Sequence, residues 1–123
     1  MNETLVMDFV PMTCMHCTKP PCLDACPVNA ITKREDGIVL ISSDDCIGCL
    51  ACLQACPFGA IQVNPILDLA EKCNLCLPRI EKGAPPACVQ ACPAGAIKFG
   101  EIHTMTEELR QQKAILSAAR RQW

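Results

Sequence analysis

Twelve cysteines in 123 residues fall into three blocks, and each block closes in Cys-Pro. The first, CMHCTKPPCLDACPVNAI, carries Cys14, Cys17, Cys22 and Cys26. The second, CIGCLACLQACPFGAI, carries Cys46, Cys49, Cys52 and Cys56. The third, CNLCLPRIEKGAPPACVQACPAGAI, carries Cys73, Cys76, Cys88 and Cys92, with eleven residues between its second and third cysteines. All three open with C-x-x-C and end with C-x-x-x-C-P, so one device is repeated three times. Thiolates in fours hold zinc or iron-sulfur clusters, and the spacing discriminates between the two.

The middle block reads C-x-x-C-x-x-C-x-x-x-C-P, the bacterial ferredoxin run for a [4Fe-4S] cluster. Three cysteines at two-residue intervals wrap a tight loop whose sulfurs meet three corners of a cube-like group. The fourth, displaced along a helical turn, ligates the other cluster of a pair. By this logic Cys14, Cys17, Cys22 and Cys56 hold one cluster, and Cys46, Cys49, Cys52 and Cys26 hold a second. Pro20-Pro21 lengthens the first loop by two residues, which a surface loop absorbs. Cys73, Cys76, Cys88 and Cys92 remain for a third cluster, so twelve thiolates give three clusters with none left over. Zinc knuckles use two C-x-x-C pairs rather than this run; the third block alone also resembles a zinc ribbon. A c-type haem needs C-x-x-C-H, but Thr18, Leu50 and Leu77 follow the second cysteines. His16 and His103 are expected to be satisfied or exposed rather than ligands, and Lys33-Arg34-Glu35-Asp36 a solvated turn. Gly48, Ala51, Gly59 and Gly95 let backbone amides approach sulfur.

The elements that position these cysteines follow from the punctuation. Four residues from third to fourth cysteine suit one helical turn, and the next Pro forbids its continuation. Behind the blocks, Ala30-Ile31-Thr32, Ala60-Ile61-Gln62-Val63 and Ala96-Ile97-Lys98-Phe99 read as short strands, and Asp36-Gly37 before Ile38-Val39-Leu40-Ile41 as a hairpin turn. Thr104 and Glu107 suggest a capping box, with a helix over about residues 105 to 121. The expected fold is small α+β: a ferredoxin-like dicluster core over 1–66, a third cluster-binding segment over 67–103, and a C-terminal docking helix over 104–123. With three Phe, one Trp and no Tyr, apolar burial is thin and metal cross-links are needed. A formal charge of -2 argues against nucleic acid as a partner. The N-terminus reads as lacking a signal peptide, and no apolar run approaches a membrane span of roughly 20 residues. A cytoplasmic protein with reduced thiols and no direct membrane insertion is expected.

Residues 9 to 100, including Pro20-Pro21, Lys33-Arg34-Glu35-Asp36-Gly37, Arg79 and Gly83, resemble the iron-sulfur electron-transfer subunits of dimethyl sulfoxide reductase, formate dehydrogenase and related complexes. Such subunits usually begin with a further four-cysteine block and hold four clusters. The resemblance therefore implies a three-cluster form, with Cys92 returning to its own cluster, similar to small subunits of tungsten or molybdenum pterin aldehyde oxidoreductases or benzoyl-CoA reductases. It implies a non-catalytic relay between a larger catalytic redox subunit and a soluble or second-subunit partner, of flavin or ferredoxin type. No nucleotide loop or nucleophile with a base competes with that reading. A free-standing polyferredoxin shuttle is the first alternative and a zinc-stapled structural protein the second.

Overall fold

The computed structural model describes residues 11–120. In chain order they form α1 (Pro21–Ala25), β1 (Ile31–Lys33), β2 (Val39–Ile41), α2 (Ala51–Ala55), β3 (Gln62–Asn64), β4 (Leu69–Glu71), α3 (Leu77–Ile80), α4 (Ala87–Ala91) and α5 (Ile102–Arg120). This is a small α+β chain with short elements, as its punctuation requires. Pro21 opens α1, where its missing N–H costs nothing. α1, α2 and α4 each stop one residue short of a Cys-Pro pair. Cys26, Cys56 and Cys92 are extended, with φ of -77°, -77° and -80°, because the following Pro ring excludes the helical region. Three residues further on, Asn29, Gly59 and Gly95 take positive φ of 53°, 59° and 60°, so the repeated sequence makes a repeated turn.

Two antiparallel hairpins follow the first two blocks. Ile31 pairs with Ile41 and Lys33 with Val39; in the second hairpin Gln62 pairs with Glu71 and Asn64 with Leu69. The Asp36-Gly37 turn is closed by the Arg34 N–H on the Ile38 carbonyl at 2.9 Å and by Asp36 Oδ1 accepting from the Ile38 N–H. In the second turn Asn64 Oδ1 accepts from the Ile66 and Leu67 amides at 2.9 and 3.1 Å, an Asx-type cap. The chain thus runs through residues 66 and 67 inside a closed hairpin. Two compact units divide at Leu75 and Cys76. Cys22, Ile31, Val39, Cys52, Ile61 and Ala70 form the buried core of the first unit, with Ile41, Leu23 and Leu53 against it.

Three expectations change. Ala96–Phe99 is not a strand: the first two hydrophobic segments find a returning partner, whereas Gly100 and a helix follow this one, leaving Ile97 and Phe99 exposed. The last helix starts at Ile102, so Thr104 lies inside it and makes no capping box with Glu107; the Thr106 hydroxyl instead donates back to the Ile102 carbonyl at 2.6 Å. β4 and α3 were not foreseen in the sequence. Leu69-Ala70-Glu71 lacks the β-branched residues that mark a strand, and Leu77–Ile80 is a single turn. No helix among the described residues is long and apolar enough to cross a membrane.

Candidate metal centres

α1 and α2 pack against each other, and each turns the third cysteine of its block inward: Cys22 and Cys52 are buried. None of the twelve cysteines forms a disulfide. Two hollows lie beside the helix pair. One is lined by Cys26, Cys46, Cys49 and Cys52, together with Val28, Ile31, Ile41 and Ile47. The other is lined by Cys14, Cys17, Cys22 and Cys56, together with His16, Val39, Phe58 and Lys72. Each hollow therefore takes three cysteines from one block and the last cysteine of the other. Among the described residues no three Cys, His, Asp or Glu side chains converge as a single ion requires. With Zn–S bonds of about 2.3 Å, a lone zinc would draw four sulfurs together. Four thiolates around one hollow can hold a group of several atoms.

The loops reach these positions through left-handed backbone. In all three C-x-x-C openings the residue before the second cysteine has positive φ: His16 at 43°, Gly48 at 69° and Leu75 at 54°. Gly48 is tightly confined. A Cβ there would stand 2.5 Å from the Asp68 carbonyl oxygen in the second hairpin turn, so the middle loop and that hairpin touch backbone to backbone.

Backbone amides also reach sulfur. Ala30 N–H donates to Cys26 Sγ at 3.2 Å and Ala96 N–H to Cys92 Sγ at 3.4 Å, both aimed by the positive-φ turn after Cys-Pro. Burial opposes the charged form of Cys26, but the Val28, Ala30, Ile31 and Asn29 amides outweigh it and hold the thiol below its usual pKa. The Ala96 and Ile97 amides do the same for Cys92. Burial pushes the Cys22 and Cys52 thiols up; Lys72 opposes this at Cys22.

The third block is held differently. Cys73 belongs to the first unit; Cys76, Cys88 and Cys92 belong to the second. Within the second unit Ala87 N–H meets Cys76 Sγ at 3.5 Å, next to Cys88. Arg79 ties the long insert across itself: its Nε donates to the Pro85 carbonyl at 3.0 Å and its Nη2 to Gln90 Oε1.

Some residues at these centres escape a reading based on cysteine spacing. Lys33, assigned to a solvated turn, donates to the Cys17 and Thr18 carbonyls at 3.2 and 2.6 Å and pins the first loop. Lys72 donates to the Val39 and Cys73 carbonyls while lining the second hollow. His16 is neither plainly satisfied nor exposed. Its Nδ1 accepts the Val39 N–H at 3.0 Å, which places the proton on a buried Nε2 without a hydrogen-bond partner. Burial, and then the Lys72 charge, lower its pKa to about 4. The sequence signal for His16 and Lys72 was adjacency to a cysteine; Lys33, between Thr32 and Arg34, had none. His103 is exposed on α5 and takes no part.

A family model described as a 4Fe-4S dicluster domain matches residues 5–102. The chain belongs to the 4Fe-4S dicluster domain family. [4Fe-4S] clusters are thus its cofactors, and the cysteine-lined hollows of this dicluster protein are chemically suited to them. Its relatives include a tetrathionate reductase subunit of Archaeoglobus fulgidus, 54% identical over 63% of this chain and 37% of the relative. The beta subunit of perchlorate reductase from Dechloromonas aromatica is 53% identical over 63% of the chain and 24% of the relative. A probable anaerobic dimethyl sulfoxide reductase chain of Escherichia coli is 44% identical over 95% of the chain and 55% of the relative. The dicluster chain thus spans between about a quarter and just over half of the length of these curated relatives.

Proposed function

We propose that this chain is a non-catalytic electron-carrying component of an oxidoreductase complex, holding three [4Fe-4S] clusters beside a larger catalytic subunit with a molybdenum or tungsten pterin. Cys14, Cys17, Cys22 and Cys56 hold one cluster, Cys26, Cys46, Cys49 and Cys52 a second, and Cys73, Cys76, Cys88 and Cys92 a third. The reading rests on the two hollows, each bordered by three cysteines of one block and the last cysteine of the other. When bound, such clusters supply one-electron transfer, which the protein tunes through hydrogen bonds, charge and solvent access. The residues of the chain do the rest. α1 and α2 fix the inward cysteines, the Cys-Pro turns aim amides at Cys26 and Cys92, and Ile31, Val39 and Ile61 exclude water from the helix pair. The names of the relatives, subunits or chains of reductases, support a place beside a catalytic partner rather than a free shuttle.

Anaerobically prepared protein is expected to contain about 12 iron and 12 sulfide per chain. Eight iron with one zinc would assign the third block to zinc. Cys56→Ala is expected to remove the cluster of Cys14, Cys17 and Cys22 and to spare that of Cys46, Cys49 and Cys52. Loss confined to the latter cluster would overturn the pairing.

A further inference from the structure

The two hollows have the same cysteine arrangement and differently charged walls. Apart from its four cysteines, the one lined by Cys26, Cys46, Cys49 and Cys52 meets only Val28, Ala30, Ile31, Ile41, Ile47, Leu50 and Ala70. The other has an ammonium and an imidazole in its wall, Lys72 and His16. Lys72 is half-buried, and its Nζ is held by two carbonyls, those of Val39 and Cys73. Among the described residues the ion pair is the Arg34–Asp36 bridge, which leaves Lys72 with no carboxylate to neutralise it. A fixed cation without a counter-charge, in the wall of a cavity built for a negatively charged group, acts on whatever the cavity holds.

We propose that Lys72 sets the two centres of the first unit apart in potential, holding the cluster of Cys14, Cys17, Cys22 and Cys56 above that of Cys26, Cys46, Cys49 and Cys52. This rests on the cluster assignment above and adds an order to it. Reduction places one more negative charge in the hollow. A cation in the wall favours that charge, whereas an aliphatic wall disfavours it by keeping water away. Lys72 and the ligand Cys22 line the same hollow, so the charge acts directly on what that hollow holds. The Ala30 amide on Cys26 works in the other direction, stabilising charge at the apolar hollow. It is a dipole on one sulfur, and a full charge in a half-buried wall outweighs it. His16 does not contest the assignment, because its Nδ1 accepts the Val39 N–H and so carries no proton of its own.

The test is a potentiometric titration of the full chain followed by electron paramagnetic resonance, with iron and sulfide measured on every sample. Cys56→Ser marks which signal belongs to the Cys14 set. In the unmodified chain that signal is expected to titrate at the higher potential. Lys72→Met is expected to lower the reduction constant of that cluster at least tenfold, about 59 mV for one electron, and to move the other cluster by less than half as much. Lys72→Arg, which keeps the charge, is expected to restore most of the shift, a rescue in potential that a purely structural role does not provide. Full iron content with unmoved potentials overturns the role of Lys72 and leaves the cluster assignment standing. Absence of iron-sulfur signals from the unmodified chain overturns the assignment itself. If Lys72→Met fails to load, the order in the unmodified chain and in Lys72→Arg decides, and a Cys14 set titrating at or below the Cys26 set overturns the proposal.

Discussion

Up to Leu75 the chain has an interior of aliphatic side chains; from Cys76 onward, among the residues whose burial is described, Pro86 alone is buried. The first unit wraps two cysteine-lined hollows around Ile31, Val39, Ile61 and Ala70, backed by two hairpins. The second unit has the same Cys-Pro turn and the same amide-to-sulfur contact, yet Ile97, Phe99, Ile102, Leu109 and Ile115 stand exposed. Identical local chemistry therefore gives two kinds of structure, depending on whether a returning strand follows the turn. Where it does, burial and metal share the work of folding. Where it does not, polar ties such as that of Arg79 to Pro85 and Gln90 must hold the insert until metal closes it.

The largest expected effect separates the two units directly. Structural metal binding is worth on the order of 10 kcal/mol in small domains, far more than a core of eight buried residues that includes two cysteines and two alanines can replace. Iron removal by a chelator under anaerobic conditions is expected to unfold the second unit first and the first unit more slowly. Limited proteolysis would then cut between residues 76 and 101 before any site between 20 and 64. Simultaneous cutting of both regions would erase the distinction drawn here.

A smaller effect tests whether the interior of the first unit depends on close backbone contact as well as on metal. Gly48→Ala forces a Cβ against the Asp68 carbonyl from a left-handed backbone, and about 2–4 kcal/mol of destabilisation is expected. Gly59→Ala has a similar φ of 59° but open space around the added carbon, so about 1 kcal/mol is expected. Thermal midpoints of the cluster-loaded variants measure the difference. Equal midpoints would mean that the middle loop moves freely against the hairpin.

Spacing alone carried much of this. Cys-Pro ended every helix where the sequence required, because the steric rule is local and admits no tertiary exception here. The hairpin at Asp36-Gly37 was legible for the same reason. Gly48 was legible as a small residue near sulfur, but not as the point where the Asp68 carbonyl passes, since contact with a distant turn leaves no trace in local spacing. Lys33 and Lys72 were hidden for a further reason: a lysine looks like any other solvated lysine until the carbonyls it grips are known. The strand expected at Ala96–Phe99 failed because a strand needs a partner, and no sequence window contains its own partner's absence.

The smallest effect concerns what the exposed apolar side chains of the second unit are for. On α5, Ile102, Met105 and Leu109 follow one another at helical spacing, and Ile102 and Leu109 remain 72% and 48% exposed. Within its unit, α5 packs on neither α3 nor α4 to any substantial extent. An ordinary amphipathic helix folded back onto its own unit would have covered that stripe. Arg110 and Lys113 add positive charge to the middle of α5. Trp123, the residue that suggests an interface anchor by its type, lies outside the described residues. No cysteine lies beyond Cys92, so removal of residues 104–123 takes no ligand from any cluster. The truncated chain is expected to keep its full iron content and to bind a larger catalytic subunit about tenfold more weakly, a loss of about 1.4 kcal/mol readable by quantitative copurification. Undiminished binding would assign the stripe to the chain itself. Loss of iron would instead make α5 part of the scaffold that holds the third block, and the second unit would then have an interior after all.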